Sequence, residues 1–287
     1  MSIRFANVQG RSAVVVGDGV IDVAERSGGR FSAEPTAALR EWGALADWAR
    51  GLRGGDAKAP LRSELLGPPV PRPAKVFAIG VNYRGHAAEA GMDVPKTPMV
   101  FTKFPNCLAG PHADVVLGSA YVDWEVELVV VMGRGGRHIP EHRALEHVAG
   151  YCVGQDISDR RLQFSDNPPQ FSLGKSLDGF GPIGPTVVSL DEFADPNDLA
   201  LTCDVGGERM QDARTNDLIF GVPALIAYLS RHCTLEPGDL IFTGTPAGVG
   251  STRNPRRYLR VGEEIVSTIE RIGTLRNRCV AGEGAAS

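Results

Sequence analysis

The sequence predicts an α+β fold dominated by β-strands, with a small N-terminal α/β domain (1–70) ahead of a larger domain (71–287). Three observations predict it. Thirty-five Gly and 20 Pro in 287 residues amount to about 19% against roughly 12% in average usage, without a collagen-like period, and so call for many tight turns. Between the turns run short apolar segments, KVFAIGV, PMVFTK, WEVELVVVM, GYCVGQDI, LALTCDV, LIFTG and EIVSTIE, with one good helix near 218 to 231. The run Gly67-Pro68-Pro69-Val70-Pro71-Arg72-Pro73 is too proline-dense for a helix or a central strand, and it places the boundary near residue 70.

The elements follow in order. IRFANV, SAVVV and VIDVA, separated by turns at Gly10-Arg11 and Gly17-Asp18-Gly19, read as hairpin strands. Glu34-Pro35-Thr36 opens a helix in which Leu39, Trp42, Leu45 and Trp48 share one face. Asn82 as N-cap and Gly91 as stop predict a two-turn helix over GVNYRGHAAEAG. The segment LDGFGPIGP after Lys175 reads as a rigid turn-rich loop, and the terminal AGEGAAS as a frayed tail.

Thirty Lys+Arg against 34 Asp+Glu give a net charge of −4, which offers no footprint for nucleic acid or an anionic membrane. No apolar run approaches the roughly 18 residues of a membrane span, and MSIRFANVQGR has no signal-like core. Five scattered cysteines without CxxC spacing fit a reduced cytoplasm.

The most informative chemistry lies in VDWEVELVVV. Strand alternation puts Asp123, Glu125 and Glu127 on one face, with Val129 and Val131 continuing it into an apolar run. Carboxylates about 7 Å apart heading into a core need a positive partner. Either a divalent cation supplies it or the acids form a strand end facing water. Asp156 ends a second apolar run, as a third oxygen ligand or as a turn residue. An all-oxygen set of Glu125, Glu127 and Asp156 suits Mg²⁺ or Mn²⁺. His86 and Glu89, at i and i+3, form either a general-base dyad or an exposed surface pair. FSLGKS lacks the first glycine of a phosphate-binding loop, so Lys175 is a single cation on a constrained backbone, able to steady an oxyanion or to serve only as a surface lysine. IFTGTPAGVG has the wrong glycine order for a dinucleotide site, and its turn either offers N–H groups and Thr245 to a carboxylate or is a turn alone.

Taken together and in order, GVNYRGHAAE, DWEVEL, GQDISDRRLQ, GKSLDGFGPIGP and IFTGTPAGVG resemble the fumarylacetoacetate hydrolase family from Lys75 to Val280. The resemblance implies a mixed β-roll domain, often preceded by a small N-terminal domain and usually paired as a homodimer. It implies Glu125, Glu127 and Asp156 as metal ligands, His86 and Glu89 as a water-activating dyad on a lid-like segment, and Lys175 near the oxyanion. It further implies Arg160, Gln163 and Thr245 as substrate contacts. Gln155, where Asn is common, and Asp159, where a small residue is common, depart from the pattern at positions expected near the substrate.

The resulting expectation is a cytoplasmic Mg²⁺- or Mn²⁺-dependent hydrolase that cleaves the C3–C4 bond of a 2,4-dioxo acid to a pyruvate-type product, with a small-molecule 2-oxo acid as its partner. Decarboxylation of an oxaloacetate-like acid and isomerisation of an unsaturated 2-hydroxy diacid share the enolate and stand as alternatives. From another class stands a non-catalytic, metal-stabilised scaffold.

Overall fold

A computed structural model describes residues 2–282; most of the AGEGAAS tail lies outside the described residues. At the N-terminus Arg4–Val8 pairs with Arg11–Val16 across Gln9 and Gly10, whose φ values of 50° and 83° are those of a twisted two-residue hairpin turn. The third strand, Gly19–Asp22, stops two residues short of the predicted VIDVA because the Asp22 carboxylate accepts from Glu25 N at 2.8 Å and caps the helix Val23–Arg26. The helix predicted after Glu34-Pro35-Thr36 is two, Pro35–Leu39 and Trp42–Ala49. Leu39, Trp42 and Leu45 are buried as the spacing predicts, while Trp48 is half-buried against Phe31.

These N-terminal strands join the main sheet. Arg4–Val8 pairs antiparallel with Gly181–Val188, and the order continues through Val148–Gln155, Val126–Met132, Leu240–Phe242 and Val76–Gly80 to Met99–Thr102 at the edge. Ile3, Phe5, Leu39 and Leu45 share one apolar cluster with Val129, Val131, Ala78 and Phe242. Residues 1–70 and the larger segment therefore have a sheet and a core in common.

The predicted loop after Lys175 is largely strand, Gly181–Val188. Pro182 and Pro185 argue against that assignment in sequence. Pro182 is accommodated where the strand meets Leu108–Ala109, and Pro185 in an irregularity of the ladder with Val148–Gln155.

A second sheet, ordered Glu208–Arg214, Ala200–Val205, Glu264–Ile269, Gly273–Ala281 and Val115–Leu117, covers the other face. Leu201, Cys203, Ile265 and Leu275 from it meet Trp124, Val126, Leu128 and Val130 in the larger cluster. Val126–Met132 is thus apolar on both faces, and its seven residues are all buried. This dry, doubly covered strand is what carries the acidic residues inward. Helix Val222–His232 matches the predicted one near 218 to 231. Among the described residues no helix is long and apolar enough to cross a membrane.

Candidate active site

Glu125, Glu127 and Asp156 converge at the end of the central strands, each offering a carboxylate oxygen within 4.8 Å of the others. Asp156 follows Val148–Gln155, the neighbour of the strand that bears Glu127, and its N–H donates to Glu125 O at 2.9 Å. All three are buried, which excludes the water-facing strand end.

Cations surround two of the three. Lys175 Nζ donates to Glu125 Oε2, Asp156 Oδ2 and Ser158 Oγ, each at 2.7 Å. Arg160 donates to Glu125 Oε1 at 2.6 Å, Asp123 Oδ2 at 2.9 Å and Gln163 Oε1 at 2.9 Å. Lys103 is fully buried, with Nζ on Asp156 Oδ1 at 2.7 Å, on Phe180 O at 3.2 Å and on Lys175 O. Sequence reasoning missed Lys103, which ends an ordinary-looking strand, PMVFTK; its role depends on a partner 53 residues away.

Among the described residues Glu127 meets no cation, and its Oε2 accepts only the Gly244 N–H, at 2.8 Å. Gly244 has φ 103°, and a Cβ there would sit 2.8 Å from Asn82 Cβ, so the approach requires glycine. Burial, then the neighbouring Asp156 and Glu125, push the Glu127 carboxyl well above the ordinary range. Burial would raise Glu125 too, but Lys175 and Arg160 outweigh it and hold that carboxyl below the ordinary value. Desolvation works against the Lys103 charge, and the attraction of Asp156 more than restores it.

With Asp123, four carboxyl groups and three cationic side chains, Lys103, Arg160 and Lys175, gather here, and the cations contact three of the four. With all four carboxyls ionised around a divalent ion, the cluster would carry a single positive charge, suited to an anionic substrate. The donor set fits Mg²⁺ or Mn²⁺: three clustered carboxylates, with no Cys or His among them. Because Glu127 holds its proton unusually well, Mn²⁺ binding is expected to release protons and to tighten as pH rises above the ordinary carboxylate range. Titration calorimetry in buffers of different ionisation enthalpy checks this, and binding enthalpies independent of buffer would contradict it.

The cluster forms the floor of a cavity of about 320 Å³, into which His86, Glu125, Arg160, Gln163, Lys175 and Thr245 project. Glu127, Glu89 and Asp156 stand behind its surface. Helix Arg84–Glu89 carries His86, whose Nδ1 lies 3.4 Å from Glu89 Oε2, while Glu89 also accepts the Gly248 N–H at 3.1 Å. Burial would raise Glu89, but His86 and the Gly248 N–H hold it below its usual value.

Gly91 ends the helical segment at φ 65°, as predicted, but Asn82 does not cap it. Its side chain donates to Phe220 O at 3.0 Å and Thr243 O at 2.7 Å and accepts from Phe220 N at 2.9 Å. Asn82 thereby pins the base of the His86 helix to the strand ends. Asn82→Ala is expected to cost about 2–3 kcal/mol for three hydrogen bonds of a buried amide, measured by denaturant unfolding; a loss under about 0.5 kcal/mol would contradict that pinning role.

The implied substrate contacts Arg160, Gln163 and Thr245 all line the cavity and also carry hydrogen bonds within the protein. Arg160 donates to the Asp123 and Glu125 carboxylates and to Gln163 Oε1, so the guanidinium is committed within the protein. Thr245 Oγ1 donates to Val126 O at 2.9 Å and accepts from Gln211 at 2.8 Å, leaving no proton for a substrate carboxylate. Gln155 lies behind the strand, accepting from Glu125 N and donating to Ser267, and Asp159 caps the helix Arg160–Gln163; neither lines the cavity.

Comparison with known proteins agrees with this architecture. Residues 75–280 match the family described as fumarylacetoacetate (FAA) hydrolase, C-terminal. The mitochondrial oxaloacetate tautomerase FAHD2A of Homo sapiens is 45% identical over 214 residues, covering 74% of this chain and 68% of that protein. A structure from Mycobacterium smegmatis, provisionally named HpcE, is 49% identical with TM-score 0.92 over 98% of this chain and 100% of its own. Maleylpyruvate hydrolase from Sphingobium sp. SYK-6, in complex with manganese(II) and pyruvate, is 30% identical with TM-score 0.81 over 97% and 99% of the two chains. The chain belongs to the fumarylacetoacetate hydrolase family.

Proposed function

We propose that this enzyme interconverts the keto and enol forms of a 2-oxo acid, with Mg²⁺ or Mn²⁺ held by Glu125, Glu127 and Asp156. The observation that carries the reading is the buried carboxylate cluster under a cavity that also presents His86 and Lys175. Similarity to an oxaloacetate tautomerase supports the reaction class. The bound ion would supply Lewis-acid stabilisation of negative charge developing on the 2-oxygen.

The chain's own groups do the rest. Lys175 anchors Glu125 and Asp156 and places its ammonium beside the developing charge. Glu89 faces His86 Nδ1, which favours the tautomer with its proton there and leaves Nε2 free to exchange a proton with C3. In one direction the C3–H bond breaks to His86 and a proton joins the 2-oxygen; the reverse restores the ketone.

His86→Ala is expected to slow ketonisation by about 10²- to 10⁴-fold, followed by loss of enol absorbance, with little change in unfolding temperature because the ring's hydrogen-bond partner, Glu89, is also held by the Gly248 N–H. Turnover within a few-fold of the parent would contradict the assigned role. The second reading, hydrolysis of an acylpyruvate, is favoured by the same His86 and Glu89 pair acting on water and by similarity to the maleylpyruvate hydrolase. Pyruvate release from a simple acylpyruvate would select it.

A further inference from the structure

The cavity is two-sided in chemistry. Its floor is ionic, but the walls rising from it are Ile79, Met92, Met99, Phe101, Phe164 and Phe171. The rings form a continuous series outward. Lys175 Nζ lies 5.4 Å from the Phe101 centroid, Phe101 is 5.7 Å from Phe171, and Phe171 meets Phe164 edge-on at 6.3 Å. Phe164 is 56% exposed and stands at the mouth, with Met92, 50% exposed, also on the rim. Large apolar side chains gathered at the rim of a cavity mark a surface suited to an apolar group of a ligand.

The charged groups in the lining are already engaged. Arg160 is paired with Asp123 and Glu125, Lys175 with Glu125 and Asp156, and His86 faces Glu89. A second carboxylate at the outer end of a substrate would meet the rings and the uncharged Ser251 and Thr252 but no unpaired cation of this lining. Exposed Arg161 and Arg256 line the adjoining cleft instead, not this cavity.

We infer that the site takes a 2-oxo acid whose C3 substituent is apolar, an aryl or branched alkyl group, in preference to a 2-oxo diacid. This rests on the keto–enol reading. The carboxylate and 2-oxygen face the floor, C3 lies within reach of His86, and the substituent stacks along Phe101, Phe171 and Phe164. Proton transfer is unchanged: the C3–H bond breaks, the 2-oxygen gains a proton, and no other reactant is needed.

The test compares phenylpyruvate with oxaloacetate on the Mn²⁺-loaded full chain, by enol ketonisation and by calorimetric binding. Phenylpyruvate is expected to exceed oxaloacetate in kcat/KM and in affinity by roughly tenfold or more, the effect of withdrawing one aromatic ring from water. Phe164→Arg, at an exposed position that tolerates charge, is expected to reduce that ratio about tenfold. An unchanged ratio would overturn the role of the aromatic wall.

Equal or better use of oxaloacetate overturns the substrate class and leaves the reaction standing, as does a tenfold loss of oxaloacetate affinity in Arg161→Ala or Arg256→Ala. Tighter phenylpyruvate binding without ketonisation upholds the substrate class and overturns the reaction. Binding of neither acid overturns both.

Discussion

Asp156→Ala is expected to destabilise the fold by about 3–5 kcal/mol, the range for breaking a buried ion pair from one side. Asp156 accepts from both Lys103 and Lys175 and is itself fully buried. Lys175 keeps Glu125 when the aspartate is removed, but Lys103 keeps only the carbonyls of Phe180 and Lys175 and becomes an uncompensated buried charge. The diagnostic is the double variant Asp156→Ala/Lys103→Met. Removing both members leaves no stranded ion, so chemical denaturation should show it at least about 1 kcal/mol more stable than Asp156→Ala alone. Equal or lower stability of the double variant would contradict the pairing.

Glu127→Gln should act in the opposite way, on function and not on fold. An amide resembles the protonated acid that burial and the neighbouring Asp156 and Glu125 favour, and it can still accept the Gly244 N–H. Without a bound cation, ionising folded Glu127 is unfavourable, so the parent should lose stability as pH rises from the ordinary carboxylate value through the raised value at Glu127. The sign follows because the folded state binds more protons than the unfolded state across that window. In Glu127→Gln the slope should disappear, and the variant should be at least as stable as the metal-free parent above the window. Mn²⁺ affinity and ketonisation should both fall by more than about 100-fold, beyond the 10- to 100-fold loss typical of an outer-shell partner. Thermal unfolding against pH, with and without Mn²⁺, checks both halves. Retained Mn²⁺ affinity would remove Glu127 from the ligand set.

The acids were legible in the sequence because strand geometry is local. A period of two places Glu125 and Glu127 on one face, and the following valines announce that this face is buried. Asp156 was legible as an acid ending an apolar run, and the His86 and Glu89 pair by helical spacing. Their counter-charges were not. Lys103 and Arg160 acquire meaning only when sheet order brings distant segments together, and neither has a sequence neighbour that reveals its partner. Asn82 misled for the complementary reason: a residue with good local capping chemistry uses its side chain on Phe220 and Thr243, reached only in the folded sheet. The strand Gly181–Val188 was hidden by two prolines that a ladder irregularity accommodates.

That same long-range assembly links fold to function. The doubly covered strand Val126–Met132 provides the low-dielectric floor that makes Glu127 hard to ionise alone, while cations from other segments hold Glu125 charged beside it and pair with Asp156. The result is a set of three carboxylates that fits a divalent ion, with a proton carrier lining the same cavity.

The most direct test of enolate formation at this site is deuterium incorporation at C3 of a 2-oxo acid in D₂O with Mg²⁺, followed by proton NMR against a protein-free control. The account predicts exchange well above the control, strongly reduced in His86→Ala and in Glu127→Gln. Exchange no faster than the control, with pyruvate released from an acylpyruvate under the same conditions, would contradict it and assign the site to C–C bond hydrolysis.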